Sequence, residues 1–110
     1  MTERLFVAHD QEPNVVGTPL RADGWYGAYK HLHTVIVHAN NFVGSVRIEA
    51  SIFEEPSEND WFDVVDPIVY GSDKQINGTV AKAASFDGVY RWIRMRSEGS
   101  RGFVDRALIN

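Results

Sequence analysis

Gly44–Phe53 reads GSVRIEASIF and runs through Glu54-Glu55-Pro56-Ser57-Glu58-Asn59-Asp60 into Trp61–Val65, WFDVV. Val46, Ile48, Ala50 and Ile52 alternate with Ser45, Arg47, Glu49 and Ser51, a period of two that sets one row against a core and the other in water. The spacing predicts a half-buried β-strand. Pro56 lacks the N–H that a ladder needs, so the acidic stretch is expected to release the chain into a turn before Trp61 and Phe62 open the next strand. The centre of the chain is thus expected to be a pair of antiparallel strands.

Working outward, His31–Ala39 (HLHTVIVHA) is rich in β-branched residues and apolar on both parities, which predicts an interior strand. Asn40-Asn41 is expected to turn that strand into Gly44–Phe53 as a hairpin. Toward the C-terminus, Val89–Arg96 (VYRWIRMR) and Phe103–Ile109 (FVDRALI) are expected to form a second hairpin through a loop at Ser97–Gly102. Leu5–His9 is a first strand, Ile68–Tyr70 a short one and Gln75–Val80 another, with a turn at Asn77-Gly78. Ala81–Ser85 (AKAAS) is too short and too poorly capped for a helix and is read as strand or loop. Pro13, Gly17 and Pro19 break up the N-terminal segment, so residues 1–24 are expected to be loop-rich and to contact neighbouring subunits. About eight strands and little or no helix predict an all-β fold, an antiparallel, jelly-roll-like β-sandwich forming one domain over 1–110. Strand order is not readable from periodicity, and a small barrel is the alternative.

Composition bounds the class of job. A chain of 110 residues, 44% hydrophobic and 24% charged, is globular rather than disordered and long enough to bury a core. A net charge of −4 provides no field to collect phosphates, so nucleic acid is not an expected partner. No apolar run approaches the ~18 residues of a membrane span, and Met1–Asp10 has no signal-type apolar segment, so assembly in a cytoplasm is expected. The absence of cysteine excludes disulfides and thiolate metal sites.

Catalytic signatures are missing too. No GxSxG, P-loop, HExxH or dinucleotide fingerprint occurs, and no enzyme is expected. His31 and His33 share one strand face about 6.5–7 Å apart, but His38 has the other parity and no third ligand completes a metal site, so they are read as half-exposed strand histidines. Glu54, Glu55, Glu58, Asp60, Asp63 and Asp66 lack the Asp/Asn-Gly pattern of a calcium loop and are read as a solvated connection; a small carboxylate hydrolase ranks last.

Binding surfaces are better supported. Arg91, Arg94, Arg96, Arg101 and Arg106 crowd the last strands together with Tyr90, Trp92 and Phe103, the residue types enriched in protein interfaces. Trp25, Tyr26 and Tyr29 beside the Asp23-Gly24 turn offer an interface anchor or a sugar-stacking platform, with core packing as the competing reading. The residues expected to carry binding are Trp25, Tyr26, Tyr29, Trp92, Arg94 and Arg96; no catalytic residue, metal ligand or cofactor is expected.

The Gly44–Val65 run, the VYRWIRMR segment and the FVDRALIN ending together resemble small jelly-roll or β-sandwich structural proteins of tailed bacteriophages. The resemblance implies a non-enzymatic virion component, a capsid decoration (cement) protein or a head or tail fibre accessory, present in many copies. Edge strands that need covering predict a homo-oligomer, expected to be a trimer, in contact with other virion subunits. A carbohydrate-binding module that stacks sugars on Trp25, Tyr26 and Trp92 is the alternative.

Overall fold

Two long strands organise the molecule. The computed structural model describes residues 3–22, 32–71 and 79–110. Among them run β1 (Glu3–Val7), β2 (Val15–Val16), β3 (Leu20–Arg21), β4 (Leu32–Ser51), a 3-10 turn (Glu58–Asp60), β5 (Phe62–Asp63), β6 (Ile68–Tyr70), β7 (Thr79–Asp87) and β8 (Trp92–Ile109). All eight strands belong to one antiparallel sheet, so the all-β expectation holds. No described helix is long and apolar enough to cross a membrane.

The two expected hairpins do not form. Residues 32–51 are one 20-residue strand, residues 92–109 are one 18-residue strand, and the two pair antiparallel from Val35–Ile109 to Ser51–Trp92. The changes of sequence pattern that suggested turns are β-bulges. The register shifts between His38 and Ala39 and again between Asn40 and Gly44, with Asn41 at φ 50° and Gly102 at φ 71°. Each bulge adds a residue and bends the strand instead of ending it. The inward row consequently changes parity, from Val35, Val37 and Ala39 before the bend to Val46, Ile48 and Ala50 after it.

Glycine makes the bend possible. Gly44 and Gly99 are direct partners across it, and a Cβ on Gly44 would come within 2.5 Å of the Gly99 Cα. The Phe42 ring packs over both and meets Tyr70 edge-on at 5.6 Å. The bend divides the sheet into two halves. In the first, residues 32–40 and 103–109 are flanked by β7 and β1; in the second, residues 44–51 and 92–99 are flanked by β5 and β6 on one side and β2 and β3 on the other. The inner faces of both halves share one core, in which Ile48, Ile93, Met95 and Ile109 are fully buried. The Tyr70 hydroxyl donates to the Val37 carbonyl at 2.8 Å and ties the second half to the first. The sheet folds over its core in the manner of a sandwich, without closing.

The N-terminal segment contributes three strands between its loops: β1, β2 and β3 all pair with β8, and Leu5 and Ala22 are core residues. Ala81–Ser85, read as strand or loop, is strand: it lies inside β7, paired with residues 34–38. One further expectation needs adjustment. The strand expected over Trp61–Val65 shrinks to Phe62–Asp63. Most of the expected Gln75–Val80 strand lies outside the described residues.

Candidate functional site

The outer faces of the two halves differ in kind. On the second half, Glu49 of β4 stands directly opposite Arg94 of β8. Both point away from the core, yet Arg94 is only 4% exposed and Glu49 8%. The connection between β4 and β5 folds back over them. Within it, the Asp60 carboxylate accepts hydrogen bonds from the Ser57 N–H at 2.8 Å and the Ser57 hydroxyl at 3.0 Å, which tightens the turn that carries Glu58 and Trp61.

Arg94 is held on every side. Its Nε donates to Glu49 Oε1 at 2.8 Å, its two terminal nitrogens donate to the Glu58 carboxylate at 3.2 and 3.1 Å, and its guanidinium lies 4.1 Å from the Trp61 ring centroid. Burial works against the charged guanidinium, but the hydrogen bonds and charges of Glu58 and Glu49 outweigh it and raise the Arg94 pKa further. The same hydrogen bonding, followed by the charge of Arg94, holds the Glu58 carboxyl below its ordinary range. Arg96 opposes Arg47 across the strands, a like-charge pair tolerated because Arg47 donates to Asp63 at 3.0 Å while Arg96 lies 4.0 Å from Glu49 and 3.8 Å from Glu98.

Beside this network opens a cleft of about 530 Å³ bounded by Pro19, Pro56, Trp61, Trp92 and the carboxylates of Glu54, Glu55 and Glu58. The Trp92 Nε1–H donates to the Glu54 carbonyl at 3.1 Å, and the Arg21 guanidinium lies 5.2 Å from the Trp92 ring centroid. Glu54 in turn forms ion pairs with Arg21, at 3.4 Å, and with Arg91.

Among the described residues, the outer face of the first half carries no such cover. Leu32, Thr34, Ile36 and His38 of β4 stand beside Asp87, Ser85, Ala83 and Ala81 of β7, while Leu108 of β8 adjoins Ile36. Leu32 is 59% exposed and Ile36 40%. Thr34 and Ser85 meet hydroxyl to hydroxyl at 3.0 Å within a largely apolar surface whose charged groups among the described residues lie at its margins: Asp87 on the β7 flank, Arg106 and Arg4 on the β8/β1 flank.

Of the residues singled out from the sequence, Trp92, Arg94 and Arg96 share the outer face of the second half, whereas Trp25, Tyr26 and Tyr29 lie outside the described residues. Arg94 is a buried centre of the network rather than a contact surface. Glu49, Glu58, Trp61, Glu54 and Arg21 complete the site and were not among the expected residues; Glu49 shares the outward parity of Arg47, the one signal the sequence offered for it. His31 lies outside the described residues. His33 is buried, unlike the half-exposed residue expected, because its parity places it with Val35 and Val37; it stacks on Phe86 at 5.1 Å, and its Nε2 bonds the Gly88 carbonyl at 2.9 Å. Among the described residues no three His, Asp or Glu side chains are placed to hold a metal ion. No protein-family model matches the chain, and neither a curated protein nor a solved structure is significantly similar to it.

Proposed function

We propose that this chain is a non-catalytic structural subunit that works through contacts between copies of itself and with other subunits, as a decoration or fibre-type component of a tailed-phage virion. The observation that carries the assembly reading is the apolar face around Leu32, Ile36 and Leu108, which no described segment covers, set in a molecule whose other outer face is partly covered by its own β4–β5 connection. The virion setting is supported by the resemblance of the Gly44–Val65 and Tyr90–Arg94 patterns to phage structural proteins.

A second copy is the occupant that suits this face. Its acidic margin, Asp87, and its basic margin, Arg106 with Arg4, lie on opposite flanks, so a two-fold that lays one copy's β7 flank over the other's β8/β1 flank pairs unlike charges around an apolar centre. Four strands ~4.8 Å apart and a row of seven residues rising ~3.3 Å each give a footprint of roughly 300–400 Å², about half that of a standard interface. One such contact is weak. Many copies held together make it effective, which is the situation of a repeated virion subunit.

Sedimentation velocity over a wide concentration range tests the assembly reading. Self-association that disappears in Ile36→Asp, with an unchanged circular dichroism spectrum, is the expected result, and the assembled mass distinguishes the trimer expected from the sequence from the dimer that a two-fold face gives. A protein that stays monomeric at the highest concentrations refutes it. Mass spectrometry and antibody labelling of purified particles test the virion setting.

A further inference from the structure

We infer that the cleft between Trp61 and Trp92 is a binding site for a neutral saccharide. The site is independent of the self-association face, which lies on the other half of the sheet.

Shape comes first. A volume of about 530 Å³ falls within the ~300–1,000 Å³ range of small-ligand sites, and the walls combine two half-buried indoles and two prolines with three glutamates and Arg94. A guanidinium lies against each indole, Arg94 at Trp61 and Arg21 at Trp92, which fixes the planes that the rings present. Rigid aromatic planes suit a ligand with apolar C–H faces, because hydrogens on carbon meet the negative face of the ring.

Charge then selects among such ligands. Glu54, Glu55 and Glu58 line the cleft together with Arg94; Arg21 and Arg91 pair with Glu54, and Arg94 is shared between Glu58 and Glu49. An anion entering the cleft meets carboxylate walls, and a cation must compete with guanidiniums already seated. An anion is thus disfavoured, and with Glu54 and Glu58 already paired the cleft makes little demand for a cation, which suits a neutral ligand.

Hydrogen-bond supply narrows the class further. The Trp92 N–H is committed to the Glu54 carbonyl, and Arg94 donates to Glu49 and Glu58. The glutamates have lone pairs to spare, since each carboxylate offers about four acceptor positions. A cleft that accepts more than it donates requires a ligand that donates. A proline-rich peptide docks through carbonyls that need donors, whereas sugar hydroxyls supply donors while their ring carbons stack on indole.

Labelled protein applied to an array of neutral and acidic glycans, followed by calorimetric titration with the strongest neutral oligosaccharide, tests the inference. Binding of neutral glycans is expected, weakened roughly tenfold or more by Trp92→Ala and less by Trp61→Phe, which keeps a ring for Arg94 to lie against. Glu55→Gln weakens binding without altering the thermal melt. Thermal melts of each variant separate lost binding from lost folding. The inference is overturned if no neutral glycan on the array binds, if acidic glycans or poly-L-proline bind in preference, or if binding survives in folded Trp92→Ala.

Discussion

Replacing Arg94 by Met is expected to destabilise the domain by about 3–5 kcal/mol, the range for breaking one side of a buried ion pair. The magnitude follows from what the substitution leaves behind. Glu49, 8% exposed, loses the Nε–H bond at 2.8 Å, and the nearest remaining cation is the Arg96 terminal nitrogen at 4.0 Å. A carboxylate so placed must stay charged without an adequate partner or take up a proton, and both are costly. The Glu58 side chain is 74% exposed, so water compensates its half of the network and the loss there is small. Urea unfolding followed by tryptophan fluorescence reads the effect: with a slope of ~1–3 kcal/mol per molar urea, the midpoint falls by roughly 1–5 M. The double variant Arg94→Met/Glu49→Leu removes both charges and fills the space with apolar atoms, so it should recover most of the loss. A single variant costing under about 1 kcal/mol, or a double variant as unstable as the two singles summed, refutes the view that these groups form one buried electrostatic unit.

Burial pushes the Tyr70 hydroxyl up to about 12. Its contribution is therefore fully present below pH ~10, where an unfolded tyrosine ionises, and is lost as pH rises through the folded value; about 2–3 kcal/mol of stability should disappear over that window, and the same denaturation series in Tyr70→Phe should lack that loss. Gly102→Ala forces a side chain into φ 71° with its Cβ about 2.6 Å from the Asn40 carbonyl oxygen, and a loss of about 1–3 kcal/mol in urea titration is expected. Lys82 reaches from β7 to donate to the Val69 carbonyl at 2.7 Å and lies over the Tyr70 ring, placing a charge on the inward side of an edge strand. Lys82→Val should change the melting temperature little but increase turbidity at high concentration, because that charge guards a nine-residue edge against pairing.

The inward and outward rows were legible because alternation needs only local sequence. Val46, Ile48 and Ala50 are buried as their period requires, and Arg94 and Arg96 lie on one outer face with Trp92; the alternation fails where β4 ends, with Ile52 of the inward row 62% exposed and Ser51 of the outward row buried. The path of the chain through Asn40–Gly44 was not legible. A change of parity is produced equally by a hairpin and by a bulge, and the distinction rests on whether a second long strand runs alongside, a non-local fact. Gly99 and Gly102 carried the same ambiguity: glycine serves a loop and also serves a bend where two backbones come close. The network was half legible for a related reason. That Glu49 opposes Arg94 depends on the register of two strands 45 residues apart, and that Glu58 and Trp61 close over them depends on the fold-back of the intervening connection.

Register is where the bend and the buried charges bear on each other. Bulges on both long strands permit more than one alignment of apolar rows, since each half could slide by two residues and still keep its inward parity. A slip of one residue in the second half would invert one strand relative to the other and turn either Glu49 toward Ile93 and Met95 or Arg94 toward Ile48, where the charge has neither water nor its partner. A slip of two would set Glu49 opposite Trp92 or Arg96 in place of Arg94. Arg96 is already engaged beside Glu98, so the first of these strands a carboxylate and the second leaves Arg94 under Trp61 without its inner partner. The observed alignment satisfies both charges and also brings Gly44 opposite Gly99, the pairing that lets Phe42 pack down and the sheet bend. In Arg94→Met/Glu49→Leu the apolar rows alone would hold the alignment. Stability near that of the parent, combined with broadened or doubled amide resonances along residues 44–51, is therefore the result that assigns the ion pair a role in specifying register; a single sharp set of resonances assigns that role to the glycine pair.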